Sequence, residues 1–236
     1  MDRHLFFDLD RTLWDFDKNS ENALKSIFQS TQSIHHLPSF HKFHQTYKDV
    51  NANLWKKYGK GKISKDELRI TRFQKTFLKF GLNNKELNQH FEDEYIRISP
   101  LQTELFPNTI ETLEALKKEG YSMHIITNGF KEVQLTKLSN SNLKPFFNII
   151  VSSEEIDINK PDIRIFQHAM TLANATPNHS VMIGDDMNID VLGAERAGMF
   201  GIHFDPKKDL RRKSNDFRIR NINELPELLP WIFNKN

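Results

Sequence analysis

The sequence predicts an α/β protein, a doubly wound parallel sheet with an all-helical domain inserted after its first strand. Three observations carry that expectation. Apolar runs at residues 5–7, 123–126, 149–151, 181–183 and 201–204 are continuous rather than alternating, as strands covered on both faces are. Helical periodicity separates the last four runs, which makes a βαβ series. The long stretch between the first and second runs carries helix signals and no convincing strand, so it reads as an insertion.

The first strand ends on Asp8 and Asp10. Side chains alternate along a strand, so two acids one residue apart leave it on the same side and read as a site. Acids that merely cap a turn are the bland alternative. In the insert, Phe40, Phe43, Tyr47, Val50, Leu54 and Tyr58 recur at three- and four-residue steps and predict one helix. Ser64 with Glu67 makes a capping-box signature ahead of Leu68, Phe73, Phe77 and Leu78, and Gly81 supplies the stop. Leu87, Phe91, Tyr95 and Ile98 predict a further helix that ends before Pro100. The crossings between core and insert are expected near residues 14–17 and 99–107, where the periodicity breaks. Residues 1–14 and 105–236 then form the α/β core, and 15–104 the helical domain.

Asn108 is placed to cap a helix carrying Ile110, Leu113 and Leu116 that stops at Gly120. The second strand leads into Thr127, Asn128 and Gly129. Lys160 follows the third strand at a distance, and Ile165, Phe166, Ala169, Met170 and Ala173 mark the next helix. The fourth strand is followed by Gly184, Asp185, Asp186 and Asp190. After the fifth come Lys207, Lys208, Arg211, Arg212 and Lys213, interrupted by Asp205, Asp209 and Asp216. That run reads as a solvated loop, with a phosphate-attracting rim as the alternative. Residues 225–233, with Pro226 and Pro230, predict a closing helix.

Composition narrows the function classes. With 236 residues, 38% of them hydrophobic and 27% charged, the chain supports a proper core without covalent staples. No apolar stretch suits a membrane span, and the first residues enter a strand without room for a signal peptide, so a cytoplasmic protein is expected. With no cysteine, disulfides, thiolate metal sites and cysteine nucleophiles are excluded. A net charge of +2 is too mild to argue for a nucleic-acid polymer as partner.

In open α/β sheets ligands collect beyond the C-terminal ends of the strands. Asp8, Asp10, Thr127, Asn128, Lys160, Asp185, Asp186 and Asp190 all follow strands and are expected to converge there. Clustered carboxylates repel one another unless a divalent cation holds them, and an oxygen-only set favours magnesium. Lys160 adds a second positive charge, and Thr127 with the Asn128–Gly129 backbone adds neutral donors. Such a set suits phosphoryl transfer to or from a small-molecule phosphomonoester. One aspartate can attack phosphorus, while a second protonates the leaving alkoxide and then deprotonates a water. Asp8 and Asp10 can share those roles.

Phe7-Asp8-Leu9-Asp10-Arg11-Thr12-Leu13 resembles the first motif of the haloacid-dehalogenase superfamily of phosphatases. Thr127-Asn128-Gly129 resembles its second motif, Lys160-Pro161 its third, and Gly184-Asp185-Asp186 through Asp190 its fourth. The resemblance covers the whole chain and implies a Rossmann-like core with a helical cap. It implies Asp8 as nucleophile and magnesium ligand, and Asp10 as general acid/base that also binds metal through its backbone carbonyl. Thr127 and Lys160 would bind the phosphoryl group. Asp185 would be the remaining direct ligand, with Asp186 or Asp190 holding waters or orienting Lys160. Asn128 would shape its loop and offer a backbone donor, or be a simple turn residue.

Asp10 favours a phosphatase or phosphomutase over a dehalogenase, because a halide leaves without needing a proton. Where many relatives carry glycine this chain has Arg11, which either reaches phosphate or sits on the surface. The opening through Leu13-Trp14-Asp15-Phe16 to Asn19, Ser20 and Glu21 resembles the nucleotidases that dephosphorylate pyrimidine nucleoside monophosphates. Trp14, Phe16, Trp55 and Tyr58 are candidates to stack on a base, although their spacing suits core packing. The alternatives are a sugar phosphatase or phosphomutase on the same scaffold, a receiver-type signalling domain, which lacks a cap, and a non-catalytic metal-binding scaffold, which predicts damaged motifs.

Overall fold

The structure is a computed structural model that describes residues 2–31, 37–207 and 217–234. Among the described residues its sheet has six strands: β1 (His4–Phe7), β2 (Ser122–Thr127), β3 (Ile149–Ser152), β4 (Ser180–Gly184), β5 (Phe200–Phe204) and β6 (Arg218–Ile219). They pair in parallel in the order β3-β2-β1-β4-β5-β6. The chain winds outward from β1 to β3, crosses to the other side of β1 at β4, and winds outward again. The order thus reverses beside β1, where an open α/β sheet forms its crevice.

The helices are α1 (Phe16–Ser30), α2 (Phe40–Tyr58), α3 (Lys65–Leu78), α4 (Lys85–Ile98), α5 (Thr109–Lys118), α6 (Lys131–Asn140), α7 (Ser153–Ile156), α8 (Ile163–Leu172), α9 (Leu192–Arg196) and α10 (Leu225–Phe233). Leu5, Phe7, Ile125, Val181 and Ile183 face a core shared with Leu113 and Leu116 of α5 and Leu225, Leu229 and Ile232 of α10. Phe6, Ile126 and Met182 face the opposite core, with Ile165, Phe166 and Ala169 of α8 and Ala194 of α9. This two-sided demand is why the strand runs are continuous. Burial of one such large side chain contributes about 1.5–3 kcal/mol, and every residue of β1 is buried.

The chain divides into two compact units, Met1–Phe16 with Thr103–Asn236, and Asp17–Gln102. In the second, Ala23, Leu24 and Ile27 of α1, Phe43 and Tyr47 of α2, Phe73 and Phe77 of α3, and Leu87, Phe91 and Tyr95 of α4 share one core. In the first, the segments on either side of the insert run antiparallel: Asp15 N–H donates to Glu104 O at 3.0 Å and Phe106 N–H to Leu13 O at 3.0 Å.

Local departures from the sequence reading have local causes. Asn108 does precede α5, but its side chain caps nothing; it takes left-handed backbone at φ 63°, which asparagine tolerates better than most residues. Ser64 Oγ accepts the Glu67 N–H at 3.0 Å, only half of the expected capping box. The buried stripe of α2 passes through Asn51, whereas Val50 is half-buried. Two-residue β6 has no periodicity of its own to read, and β5 holds it through His203 N–H to Phe217 O and Asp205 N–H to Ile219 O. Trp14 is fully buried in the first unit's core, while Trp55 and Tyr58 pack edge to face at 5.6 Å. Lys208, Arg211, Arg212 and Lys213 of the basic run lie outside the described residues, as do Asp209 and Asp216. Among the described residues no helix is long and apolar enough to cross a membrane.

On β1 and β2, buried His4 and His124 lie with Nδ1 of His4 3.1 Å from Nε2 of His124, their rings stacked. Burial lowers the pKa of both; for His4, Asp2 raises it and His179 lowers it further. In His124 burial and then the neighbouring His4 bring it to about 4. The unfolded chain takes up these protons near its ordinary value of about 6.5, so the folded state loses stability as pH falls from there towards about 4. Wild type is expected to lose on the order of 2 kcal/mol through this pair in urea unfolding over that window. In His124→Gln the loss should shrink; parallel pH profiles for the two proteins would contradict the assignment.

Candidate active site

The polar residues that follow the strands meet at the C-terminal end of β1. Asp8 continues the ladder, its N–H donating to Ile183 O at 2.9 Å, so its side chain emerges where the sheet ends. Next comes a tight turn in which the N–H groups of Thr12, Leu13 and Trp14 all point at Leu9 O. Arg11 takes φ 67° in it, a left-handed conformation that glycine adopts freely. The Arg11 guanidinium lies 4.4 Å from the centroid of Phe16.

Lys160 is the hub. Its buried Nζ donates to Asp8 Oδ1 at 2.7 Å and to Ile126 O at 2.8 Å, and makes an ionic contact with Asp190 Oδ1 at 2.7 Å. Burial disfavours the ammonium charge, but Asp190 and Asp8 outweigh it and hold the pKa above its ordinary value. Asp8 moves the other way from what one salt bridge would give: burial, with the charges of Asp190 and Asp10, outweighs Lys160 and raises it to about 7. Asp185 is raised to about 8 by burial and then by Asp8 and Asp190, with Arg11 and Lys160 opposing. Oxygens of Asp8, Asp185 and Asp190 all lie within 4.8 Å of one another.

Close packing around Gly184 brings Asp190 in: a Cβ at residue 184 would sit 2.4 Å from Asp190 side-chain atoms. Asp190 itself lies on a single π-helical turn, Met187–Val191, and its Oδ2 accepts the Asp186 N–H at 3.0 Å. Asp186 caps that turn: its Oδ1 accepts from Asn188 and Ile189 N–H. Its carboxylate serves the local backbone, as an acid one turn ahead of free amides does. Asn128 shapes its loop through its side chain. Its Nδ2 donates to Lys160 O at 3.0 Å and its Oδ1 accepts Lys160 N–H at 2.8 Å, so its side chain fixes the lysine loop and keeps one amide proton for a further acceptor.

Thr127 and Asp10 belong to a second group. Thr127 Oγ accepts from Gly129 N–H at 3.0 Å and from Gln134 Nε2 at 2.7 Å. Asp10 Oδ2 accepts from the same Gln134 Nε2 at 2.8 Å, and Asp10 Oδ1 accepts from Lys137 Nζ at 2.6 Å. The sequence reading missed Gln134 and Lys137; the available signal was their i, i+3 spacing on a helix that starts directly after the second motif. It also missed Thr12, whose hydroxyl donates to Asp8 Oδ2 at 3.3 Å, and His203, whose Nε2–H donates to Asp185 O at 2.9 Å.

A nucleophile-grade carboxylate, a second carboxylate on separate partners, a buried lysine and a hydroxyl together suit displacement at a tetrahedral or ester centre. Known proteins point the same way. The family model described as haloacid dehalogenase-like hydrolase matches residues 3–198. The chain is 32% identical to the pyrimidine 5'-nucleotidase YjjG of Escherichia coli, over 83% of this chain and 82% of that one. It is 29% identical to the pyrimidine 5'-nucleotidase PynA of Streptococcus pneumoniae, over 86% and 84% of the two chains. Among solved structures, the HAD-hydrolase YfnB of Bacillus subtilis, bound to magnesium, matches with a TM-score of 0.85, 27% identity and coverage of 97% and 98%. Sheet order, motif residues and a family match across most of the length agree, and the chain belongs to the haloacid dehalogenase-like hydrolases.

Proposed function

We propose that the chain is a cytoplasmic, magnesium-dependent phosphomonoesterase that works through an aspartyl-phosphate on Asp8, with pyrimidine nucleoside 5'-monophosphates as its substrate class. The observation that carries this reading is the pairing of Asp8, bound to Lys160, with a second acid, Asp10, held on separate partners. A halide leaving group has no use for that second acid; a phosphate ester does. The nucleotide class rests on the relatives named as pyrimidine 5'-nucleotidases and on the opening sequence after the first motif.

The residues present fit a magnesium ion. Asp8, Asp185 and Asp190 form an oxygen-only set, and burial first, then the neighbouring carboxylates, raise the pKa values of Asp8 and Asp185. Asp8, Asp185 and the Asp10 backbone carbonyl would hold the ion, with Asp190 beside them on Lys160. When bound, magnesium supplies the charge that lets Asp8 stay ionised beside the phosphoryl oxygens.

Lys160 and Thr127 orient the phosphoryl group so that phosphorus faces Asp8. As the Asp8 oxygen–phosphorus bond forms and the ester bond breaks, Asp10 gives its proton to the departing alkoxide. Asp10 then takes a proton from water, whose oxygen bonds to phosphorus as the Asp8–phosphorus bond breaks. Residues Asp17–Gln102 correspond to the inserted helical domain, the candidate source of leaving-group selectivity.

The test is phosphate release from a panel of nucleoside monophosphates and sugar phosphates, with and without magnesium. Magnesium-dependent release, best with pyrimidine monophosphates, is expected. Preference for sugar phosphates would retain the mechanism and remove the nucleotide reading; release from none of them would remove both.

A further inference from the structure

We propose that Lys137 and Gln134, on one face of α6, are positioning residues that set the heading of the Asp10 carboxylate and, through Gln134, of the Thr127 hydroxyl. The proposal rests on the phosphomonoesterase reading above and extends it to two residues that none of the four motifs contains. Lys137 and Gln134 are 4% and 1% exposed. Each meets a different oxygen of Asp10: Lys137 Nζ lies 2.6 Å from Oδ1 and Gln134 Nε2 lies 2.8 Å from Oδ2. A carboxylate with only one oxygen held can swing about its last bond, whereas one held at both is fixed in plane and direction. Each oxygen still has a lone pair for a proton in transit.

The ammonium of Lys137 is itself confined. It lies over the ring of fully buried Trp14, 4.3 Å from the centroid, so the ring face and Asp10 hold it from two sides. Gln134 is confined by its donor inventory. An amide NH2 has two protons, and Nε2 meets Asp10 Oδ2 at 2.8 Å and Thr127 Oγ at 2.7 Å. The reverse amide orientation would turn its oxygen towards a carboxylate oxygen, so the donor side must face this way. Its own Oε1 is buried with no partner among the described residues, which is unfavourable, so the two donated bonds are what place the side chain here. A Cβ at Gly129 would come 2.1 Å from Gln134 Nε2, so the glycine of the second motif opens the path for this contact.

The consequence for Thr127 follows from counting. Its Oγ accepts from both Gly129 N–H and Gln134 Nε2, which fills both lone pairs. The hydroxyl proton is left to donate, and the phosphoryl oxygen is its acceptor. A single side chain, Gln134, thus ties the heading of the acid/base to the heading of a phosphate donor. Asp10 must face the ester oxygen when it gives its proton in the first step and the water when it takes one in the second. A displacement of about 1 Å at such a group is enough to lower turnover by about a hundredfold.

Lys137→Met and Gln134→Leu, which keep side-chain length and volume, test this against two esters. An alkyl phosphate needs the proton from Asp10 to leave; 4-nitrophenyl phosphate leaves as a stable phenolate without it. In both variants kcat on the alkyl ester should fall about a hundredfold with KM within about threefold of wild type. On 4-nitrophenyl phosphate a stoichiometric burst of nitrophenolate should precede slow turnover, because only the second step still needs Asp10. Two variants guard against a folding defect in either, and thermal melting identifies one. Equal losses on both esters without a burst, or unchanged kcat in a folded variant, would overturn the positioning role while leaving the phosphomonoesterase reading intact. A wild type that releases phosphate from neither ester would overturn that reading, and this proposal with it.

Discussion

Asp8→Asn should lower phosphate release by at least about 10⁴-fold, yet leave the metal-free protein no less stable than wild type at pH 8. The first effect follows from removing the attacking oxygen. The second follows from the environment of the carboxylate, which burial and then the neighbouring Asp190 and Asp10 raise from 3.8 to about 7 against the pull of Lys160. A carboxyl raised in the folded state means that the unfolded chain gives up its proton first. Stability contributed by protonated Asp8 is therefore present below its unfolded value and is lost as pH rises towards about 7. Asparagine has no proton to lose, and its Oδ1 can still accept from Lys160. Phosphate release and thermal melting in chelator at pH 5 and pH 8 check both halves. A variant that melts well below wild type at pH 8 would show that the Asp8 charge stabilises the fold instead of straining it.

Lys160→Met is expected to act on both stability and turnover. The ammonium is 3% exposed and bonded to Asp8 and Ile126 O, with Asp190 at 2.7 Å. Removing one partner of a buried charge cluster leaves the others uncompensated, at about 3–5 kcal/mol. The loss should be smaller at pH 5, because Asp8, already raised to about 7, can then carry a proton in place of the missing cation. Loss of a charge that faces the transferring phosphoryl group should lower kcat by about 10²–10³-fold. Urea unfolding at pH 5 and pH 7 with steady-state kinetics measures these effects; equal stability loss at both pH values would contradict the electrostatic account.

Several features were legible in the sequence because one physical demand produced each of them. Strands covered on both faces must be apolar throughout, so Leu5, Phe6 and Phe7 announced a central strand. Acids placed just past strands announced a rim. The parts that were not legible depend on contacts between distant segments. Asn128 and Asp186 carry donors and acceptors that fit several roles, and only the fold shows them spent on the Lys160 backbone and on a π-helical turn. Lys137 reads as any surface lysine until α6 brings it over Trp14 and onto Asp10. Arg11 differs: neither its left-handed backbone nor the place of its side chain over Phe16 has a signal in the arginine itself.

The central claim is a covalent phosphoryl group on Asp8. Wild type mixed with a good phosphomonoester and magnesium, quenched in acid within its first turnovers and digested, should yield the peptide bearing Asp8 with a phosphoryl adduct that borohydride converts to a reduced side chain at that residue. The same adduct should be absent from Asp8→Asn. An unmodified Asp8 peptide from enzyme caught in active turnover, or an adduct mapped to Asp10 or Asp185, would contradict the account.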